Sequence, residues 1–351
     1  MRYDFMMNKK AITLKDIAKL AGVSHMTVSR AVNLAMRARV APHTLAMIDK
    51  LIRKHNFTAN MAARNLRQSA TKTIGVIFPY YKGVFYSTYY SHILSGVADF
   101  LAGTDYQFKL LLLKDNAVVR DHFNFRATEQ IDGLIVTHWT KVFSDKAAIE
   151  GINIPMVIIN DYEEGVKADI VHGDSYAGGR MCADYLLNKG HRKIAVLNGP
   201  GWSRDTHQRL AGFADGLKEK GIELNNALIY RADFIEPDAY NITEKVILEH
   251  AGITAIFCCN DEMALGVIRR LKDLNIECPG KISVMGFDND FKSANAVPAL
   301  TTINVPVYDL GKQAAEGLIN ALQGSDVSRV FERITIPVQL IERQSVKAFQ
   351  L

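Results

Sequence analysis

Apolar side chains recur at helical spacing over the first part of the chain. Two such stretches, divided by a glycine, make up the run TLKDIAKLAGVSHMTVSRAVN from Thr13 to Asn33. Thr13 offers a capping side chain to the first stretch and Ser24 to the second, so the pattern predicts two short helices joined by a tight turn. A third helix is predicted from Pro42, where the missing N–H of proline costs no hydrogen bond. These helices are predicted to form a first domain, residues 1–59.

From Thr73 onward, short apolar runs alternate with helical stretches. The apolar runs, predicted as strands, are TIGVIFP, FKLLLL, GLIVTHW, PMVIIN, KIAVLNG, AIFCCN, ISVMGF and LTTINV. The helical stretches between them are 86–102, 176–189, 206–220, 239–250, 262–274 and 307–323. Alternation of this kind predicts parallel sheets with helices on both faces. A body of about 280 residues exceeds one hydrophobic core, so two α/β lobes are expected.

The charge is divided unevenly along the chain. Residues 1–72 carry 14 Lys and Arg against 3 Asp and Glu, a net charge of +11, whereas the remaining 279 residues have a net charge of −6. A basic domain on an acidic body is typical of a protein that binds a polyanion. A solvated basic tail is the alternative, but a tail should lack the apolar periodicity seen here. We therefore favour nucleic-acid binding.

The second predicted helix carries polar side chains on the face opposite its apolar one. The first turns of a recognition helix lie against base edges in the major groove. His25, Met26 and Arg30 are therefore the side chains expected to read a DNA sequence. Arg30 taken alone could equally contact a phosphate or be a surface charge.

Catalytic, metal-binding and membrane motifs are missing from the sequence. It has no G-x-x-x-x-G-K-[ST] loop, no G-x-G-x-x-G after the first strand, no H-E-x-x-H and no G-x-S-x-G. Asp288-Asn289-Asp290 begins like a calcium loop, but Lys292 stands where an oxygen ligand belongs. The four cysteines lack metal-ligand spacing and are expected to be buried thiols. With no 18-residue apolar run and no apolar leader region, we expect a cytoplasmic protein that is not an enzyme and has no cofactor, metal or membrane span.

The order of several motifs resembles that of the lactose-repressor/purine-repressor family of bacterial transcription regulators. The motifs are TLKDIAKLAGVSHMTVSRAVN, NMAARNL, KTIGVIFP, DGLIV, GHRKIAVLNGP, RLAGF, NDEMALG, ISVMGFD and PALTTI. The resemblance implies a three-helix helix-turn-helix DNA-binding domain and a periplasmic-binding-protein-like body of two parallel-sheet α/β lobes. Its implied divisions are 1–59 for the DNA-binding domain, 60–70 for a hinge helix and linker, and 71–351 for effector binding and dimerisation. Within the last, it implies an N-lobe of about 71–165 and 304–332, and a C-lobe of about 166–303 and 333–351. An apparent insertion at 34–39 departs from the family pattern.

The resemblance also implies two DNA-contacting segments, the helix-turn-helix and a hinge helix paired across a dimer. Leu66 of the hinge would lever open the minor groove, which bends the site around the protein. A linker residue that packs on the core is the alternative for Leu66. The predicted DNA-binding residues are Thr13, Ser24, His25, Met26, Thr27, Ser29, Arg30, Asn33, Asn60, Ala63, Arg64 and Leu66.

Ligands of parallel α/β lobes bind at the carboxyl ends of the strands. The effector-binding residues predicted there are Phe85, Tyr86, Asn160, Asp161, Trp202, Arg209, Phe234 and Asp261. By resemblance, Arg209 and Asp261 match effector-contacting positions, Asn160 stands where a carboxylate is frequent, and Phe234 matches an aromatic residue that stacks on the ligand. A forked donor, an acceptor and an aromatic face suit a sugar or a nucleobase.

Three of these residues have structural alternatives. Asp261 could cap a helix that begins at Glu262. Trp202 could be an exposed loop or interface residue, and Phe85 could belong to an ordinary core.

The sequence therefore predicts a dimeric, effector-controlled repressor of a carbohydrate-utilisation operon, which binds double-stranded operator DNA. The end of the chain is too short for a tetramer-forming leucine zipper. A regulator that responds to a nucleobase or nucleoside is the first alternative. A solute-binding protein and a sugar-converting enzyme are alternatives of other classes.

Overall fold

The computed structural model describes residues 12–32, 34–55, 57, 70–80, 84–113, 130–137, 152, 154–162, 164–324 and 331–349. The chain divides into two compact units, residues 1–71 and 72–351. Within the described part, no helix is both long and apolar enough to cross a membrane. The predicted DNA contacts at Asn33, Asn60, Ala63, Arg64 and Leu66 fall outside the described residues.

The first unit contains three helices, which we number α1 (Leu14–Ala21), α2 (His25–Val32) and α3 (Pro42–Lys54). Ile17, Val28 and Ile48, one from each helix, are fully buried against one another. Thr13 caps α1, as predicted, and Asp16 completes a capping box: the Asp16 N–H donates to Thr13 Oγ1 at 3.3 Å, and the Thr13 N–H donates to the Asp16 carboxylate at 2.9 Å. The described helices therefore form around the apolar positions that the sequence predicted.

The apparent insertion forms a 3-10 helix, Leu34–Arg39. Its Arg37 donates to the Ala31 carbonyl at 3.1 Å and forms an ion pair with Asp49 of α3. The extra residues are thereby tied to both neighbouring helices. Helix α3 begins at Pro42, as predicted, although Ala41 before it makes no capping hydrogen bond with its side chain.

The second unit contains two parallel sheets. The first has the strand order β2-β1-β3-β4-β5-β11, with β1 Thr73–Pro79, β2 Gln107–Leu113, β3 Gly133–Val136, β4 Met156–Ile159, β5 Asp169–Gly173 and β11 Arg333–Ile336. The second has the order β7-β6-β8-β9, with β6 Ile194–Asn198, β7 Ile229–Arg231, β8 Ala255–Cys258 and β9 Ser283–Met285. An antiparallel pair, β10 Thr302–Asn304 and β12 Gln339–Ile341, completes the described strands. Two parallel-sheet lobes were predicted, and this fold class is confirmed.

The helices of the second unit lie on the faces of these sheets. They are α4 Thr88–Leu101, α5 Ser175–Asn188, α6 Arg204–Glu219, α7 Glu236–Glu249, α8 Asp261–Asp273, α9 Phe291–Asn295 and α10 Val307–Gln323. Helices α5, α6 and α8 begin one or two residues before their predicted starts, where polar side chains cap them. Ser203 Oγ accepts from the Thr206 N–H at the start of α6, and Asn260 Oδ1 accepts from the Met263 N–H at the start of α8.

The lobe boundaries differ from the predicted ones in two places. The sequence assigned 166–173 and 333–336 to the C-lobe, but β5 and β11 pair with each other and β5 pairs with β4, so all three belong to the first sheet. The reason is hydrogen bonding: without β5 and β11, β4 would present an unpaired edge. The chain therefore leaves the first lobe after β5, and leaves it again after β11.

Helices α5 and α6 approach closely enough for their backbones to touch. A Cβ atom added at Gly212 of α6 would lie 2.0 Å from the Tyr176 carbonyl oxygen, and one added at Gly179 of α5 would lie 2.1 Å from the Arg209 carbonyl oxygen. Only glycine allows this approach. The contact fixes the position of α6, the helix that carries Arg209.

We predict that Gly212→Ala lowers the free energy of unfolding by about 1–3 kcal/mol, because α5 and α6 must separate to admit the methyl group. Gly317→Ala in α10 is the matched control: a Cβ there meets nothing within 4 Å. It should stabilise the helix by up to about 1 kcal/mol. Urea unfolding of the full chain measures both, and equal stability of the two variants would contradict the close-contact interpretation.

Candidate effector and DNA-binding sites

A group of polar residues lies at the carboxyl ends of the strands in both parallel sheets of the body. Asn160 and Asp161 follow β4, Ser203 and Asp205 follow β6, and Asp288 follows β9. Hydrogen bonds join these segments across the boundary between the lobes. The interlobe region is therefore the candidate effector site, as the rule for parallel α/β folds predicts.

Arg209 is the centre of this cluster, and its side chain is only 5% exposed. Its Nη2 lies 3.0 Å from Asp288 Oδ1 and 3.9 Å from Asp205 Oδ2, and its Nη1 donates to the Cys259 carbonyl. The guanidinium carbon lies 3.9 Å from the centre of the Phe287 ring. Burial disfavours the charge, but Asp288 and Asp205 outweigh it and hold the pKa of Arg209 above its ordinary value. The partners of the Arg209 charge are therefore carboxylates of the protein itself, those of Asp288 and Asp205.

Asp288 supplies the negative charge that pairs with Arg209, and it was not among the predicted site residues. Burial raises the pKa of Asp288 to about 6, against the opposing pull of Arg209 and with a further rise from Asp205. In the sequence, Asp288 ends the motif ISVMGFD. It was considered there only as the first residue of an incomplete calcium loop. Its role depends on a partner 79 positions earlier, and the spacing along the chain gives no indication of that contact.

Asp261, in contrast, is 1% exposed and holds other parts of the protein together. Its Oδ1 accepts from Thr302 Oγ1 at 2.5 Å, and its Oδ2 accepts from the Asp290 N–H at 2.8 Å. The alternative that Asp261 caps a helix beginning at Glu262 is wrong, because the helix begins at Asp261 and Asn260 caps it. The Asp261 side chain positions the Asp290 loop and offers almost no surface to a ligand.

Asn160 joins two strands to the aromatic end of α4. Its backbone is left-handed, with φ of 62°, and its Oδ1 accepts from the Gly173 N–H at 3.1 Å. Its Nδ2 donates to the hydroxyl of Tyr89. Burial raises the pKa of Tyr89 well above its ordinary value, and the nearby carboxylates of Asp205 and Asp161 raise it further. Tyr89, not predicted as a site residue, therefore belongs to the carboxylate cluster.

Among the described residues, two of the contacts that join the lobes involve carboxylates of this cluster. Asp161, after β4 of the first lobe, accepts from Ser203 Oγ at 3.1 Å and from the Asp205 N–H at 3.0 Å, both at the start of α6 in the second lobe. Thr88 Oγ1, at the start of α4 in the first lobe, donates to the Asp290 carboxylate in the second. The cluster therefore lies where the two lobes meet.

Aromatic side chains flank the second-lobe part of the cluster. The rings of Trp202 and Phe234 meet edge to face, with 6.3 Å between their centres, and Trp202 is 46% exposed. The Phe234 ring fits against Gly199, where an added Cβ would lie 2.3 Å from it. In the first lobe, Phe85 packs on Phe78 at 6.0 Å and Tyr86 is 88% exposed. Ligand contact by any of the four aromatic residues Phe85, Tyr86, Trp202 and Phe234 stays a prediction.

The described residues that were predicted to contact DNA fall into two groups. Thr13, Ser24 and Thr27 make capping contacts: Ser24 Oγ accepts from the Thr27 N–H at 3.1 Å and lies 2.9 Å from Thr27 Oγ1. Met26, Ser29 and Arg30 are exposed on α2, and His25 is half-buried. Arg30 Nη2 lies 3.4 Å from Met26 Sδ, so these two side chains form one surface. The arrangement offers donors and an apolar contact of the kind that reads base edges.

The thiols and carboxylates do not form a metal site in the described part of the chain. All four cysteines are free, and Cys182, Cys258 and Cys259 are buried. Burial raises the pKa of each of these three thiols, which leaves them protonated at neutral pH.

Comparison with known proteins places the chain among bacterial regulators. Residues 13–60 match the family model described as bacterial regulatory proteins, lacI family, and residues 183–346 match the periplasmic binding protein-like domain. The chain is 31% identical over 339 residues to the HTH-type transcriptional repressor PurR of Histophilus somni, covering 95% of this chain and 99% of that protein. It is 33% identical over 344 residues to the PurR repressor of Vibrio vulnificus, covering 95% and 98%.

The chain belongs to the lacI family of bacterial regulatory proteins. The fold agrees with this: the structure of the Lac repressor dimer bound to operator and the anti-inducer ONPF superposes with a TM-score of 0.85 at 24% identity, over 97% of this chain and 100% of that one. In this lacI-family regulator, α1 and α2 are the helix-turn-helix of the DNA-binding domain, and residues 72–351 have the periplasmic-binding-protein-like fold.

We predict that Arg209→Met lowers the free energy of unfolding of this regulator by about 3–5 kcal/mol at pH 7, because it leaves Asp288 and Asp205 buried without a cation. The double variant Arg209→Met/Asp288→Leu should regain most of that loss in urea unfolding. Arg180→Met, which breaks the exposed ion pair with Glu219, is the control and should change the stability far less. Equal losses in the single and double variants would show that Arg209 acts by packing on Phe287 and not by its charge.

Proposed function

We propose that this lacI-family regulator is a repressor whose affinity for operator DNA is set by an uncharged ring compound bound between its lobes, and that the compound is a purine base or nucleoside. The observation that carries the proposal is the charge balance of the cleft. The Arg209 guanidinium faces the carboxylates of Asp205 and Asp288, and those of Asp161 and Asp290 lie on the contacts between the lobes. Arg209 is already ion-paired with Asp288, so among the described residues its guanidinium is not a free cation for a phosphate.

The purine assignment rests on two further points. Relatives 31% and 33% identical over almost their whole length carry the name PurR. The cleft also has the groups that a purine needs, since carboxylates accept from ring N–H and amino groups and the Trp202–Phe234 pair offers aromatic surface.

A carbohydrate, which the sequence analysis ranked first, is the second candidate. The same carboxylates accept from hydroxyl groups, and the half-exposed Trp202 can cover the C–H face of a sugar ring. We further propose a homodimer in the cytoplasm, in which the exposed Met26–Arg30 surface of each protomer reads one half-site of a near-palindromic operator.

We predict that purine bases or nucleosides raise the thermal stability of the repressor, whereas the corresponding nucleotides and sugar phosphates do not. A ligand at 100 times its dissociation constant adds about 2.7 kcal/mol of apparent stability. A thermal-shift panel of purine bases, nucleosides, nucleotides, free sugars and sugar phosphates measures this. Trp202→Ala and Phe234→Ala should lose the shift, and Leu248→Ala, an exposed side chain on α7, should keep it.

If only free sugars stabilised the repressor, the effector would be a carbohydrate and not a purine. Stabilisation only by phosphorylated compounds would contradict the charge argument and with it the proposed effector class.

For DNA, we predict that Arg30→Ala reduces discrimination between operator and random duplexes more than it reduces affinity for random DNA. A lost base contact costs about 1–3 kcal/mol of specificity. The operator is first selected from a random duplex pool, and both affinities are then titrated over a range of salt concentrations, because phosphate contacts alone set the salt dependence of non-specific binding. Lys19→Ala, an exposed residue of α1, is the control. Equal losses on operator and random DNA would make Arg30 a phosphate contact.

A further inference from the structure

The contact of Asp161 with α6 brings two carboxylates together at the boundary between the lobes. The Asp161 carboxylate accepts from Ser203 Oγ at 3.1 Å and 3.2 Å and from the Asp205 N–H at 3.0 Å. Asp205 therefore lies beside Asp161, with its own Oδ1 accepting from Ser175 Oγ at 3.1 Å. This contact joins the first lobe to the second. A change in the charge of Asp161 therefore changes the free energy of lobe closure.

The charged neighbours do not neutralise Asp161. Arg209 Nη2 lies 3.9 Å from Asp205 but 3.0 Å from Asp288, so Asp288 is its nearer ion-pair partner. The guanidinium of Arg204, which adjoins the pair in sequence, lies over the Tyr162 ring at 4.3 Å and 3.4 Å from Glu164. Tyr89 of α4 faces the pair as a neutral hydroxyl. Among the described residues, no cationic side chain forms an ion pair with Asp161. Its hydrogen-bond donors lie at the N-terminus of α6, the positive end of the helix dipole.

We propose that Asp161 is a proton-operated latch, which holds the lobes together when its carboxyl group carries a proton and loosens when that proton is lost. Asp161 is buried beside the more exposed carboxylate of Asp205, so its ionisation costs desolvation and repulsion, and separation of the lobes relieves both by admitting water. The hydrogen bonds from Ser203 and Asp205 survive protonation, because a neutral carboxyl group still accepts them.

The direction of the pH dependence follows from the pKa of Asp161. Burial, followed by repulsion from Asp205, raises this pKa from 3.8 to about 7. A carboxyl group with a raised pKa in the closed form binds its proton more tightly there than in an open, solvated form. Closure is therefore fully favoured below about pH 4, and the advantage is lost as the pH rises through about 7.

The test measures the distance between the lobes without effector or DNA. Nitroxide labels at Ala102→Cys, after α4, and Lys220→Cys, after α6, report on the two lobes in a Cys278→Ser background, since the other three cysteines are buried. Labelled chains mixed with an excess of unlabelled chains give dimers with one labelled protomer. Pulsed electron paramagnetic resonance at pH 5 and pH 8 should show the closed-to-open ratio falling at least about tenfold, the change that one unit of pKa difference gives.

Three variants locate the effect. Asp161→Asn keeps an acceptor without the charge, so its distance distribution should be the same at both pH values. Thr88→Val removes the other interlobe hydrogen bond and should raise the open fraction at each pH while the pH dependence remains. Glu223→Gln, an exposed carboxyl group on the outer face, should behave as wild type.

A wild-type distribution that does not change with pH would overturn the latch, and so would an Asp161→Asn variant that follows pH as the wild type does. Because neither ligand nor operator is present, these outcomes are independent of the effector proposal.

Discussion

The pairing of Arg209 with Asp288 is the interaction on which the candidate effector cleft depends. One guanidinium group joins three parts of the second lobe: the end of β8 through the Cys259 carbonyl, the loop after β9 through Asp288 and Phe287, and α6 itself through Asp205. Its charge is what allows carboxylates to gather in a buried region, since isolated buried anions are costly. Arg209 thus organises the site before it contacts any ligand.

This arrangement has two consequences for function. The first is the selectivity that we propose: among the described residues, carboxylates with a single ion-paired Arg209 favour a ligand that donates hydrogen bonds and carries no negative charge. The second is mechanical, because two of the carboxylates, Asp161 and Asp290, lie on the contacts between the lobes. Binding and lobe closure therefore involve the same charged groups, and a change in protonation or ligand occupancy acts on both.

Periodicity was sufficient to predict most of the helices and the central strands. Every predicted body helix has an observed counterpart, because long amphipathic stretches carry a strong 3.6-residue signal. The strands β5, β7, β11 and β12 were missed: each has only three to five residues and lacks a continuous apolar run. Since β5 and β11 define the edge of the first sheet, their omission also misplaced the boundary between the lobes.

The polar cluster contains three of the residues predicted to bind an effector, Asn160, Asp161 and Arg209. Contact of these residues with an effector stays a prediction. The sequence could not distinguish Asp261, which holds a loop, from Asp288, which pairs with Arg209, since both follow a buried strand. Tyr89 and Asp205 were missed for a related reason: each acts through a partner on another element, and no local spacing signals such contacts.

The central claim is that a ligand in the cleft and operator DNA are thermodynamically coupled. The most direct measurement is a reciprocal titration of the wild-type repressor: operator affinity with and without saturating effector, and effector affinity with and without saturating operator. Linkage requires the same factor in both directions, and a factor of about 5–150 is typical of such proteins. Equal factors in this range are predicted. A ligand that binds the body and leaves operator affinity unchanged would contradict the account.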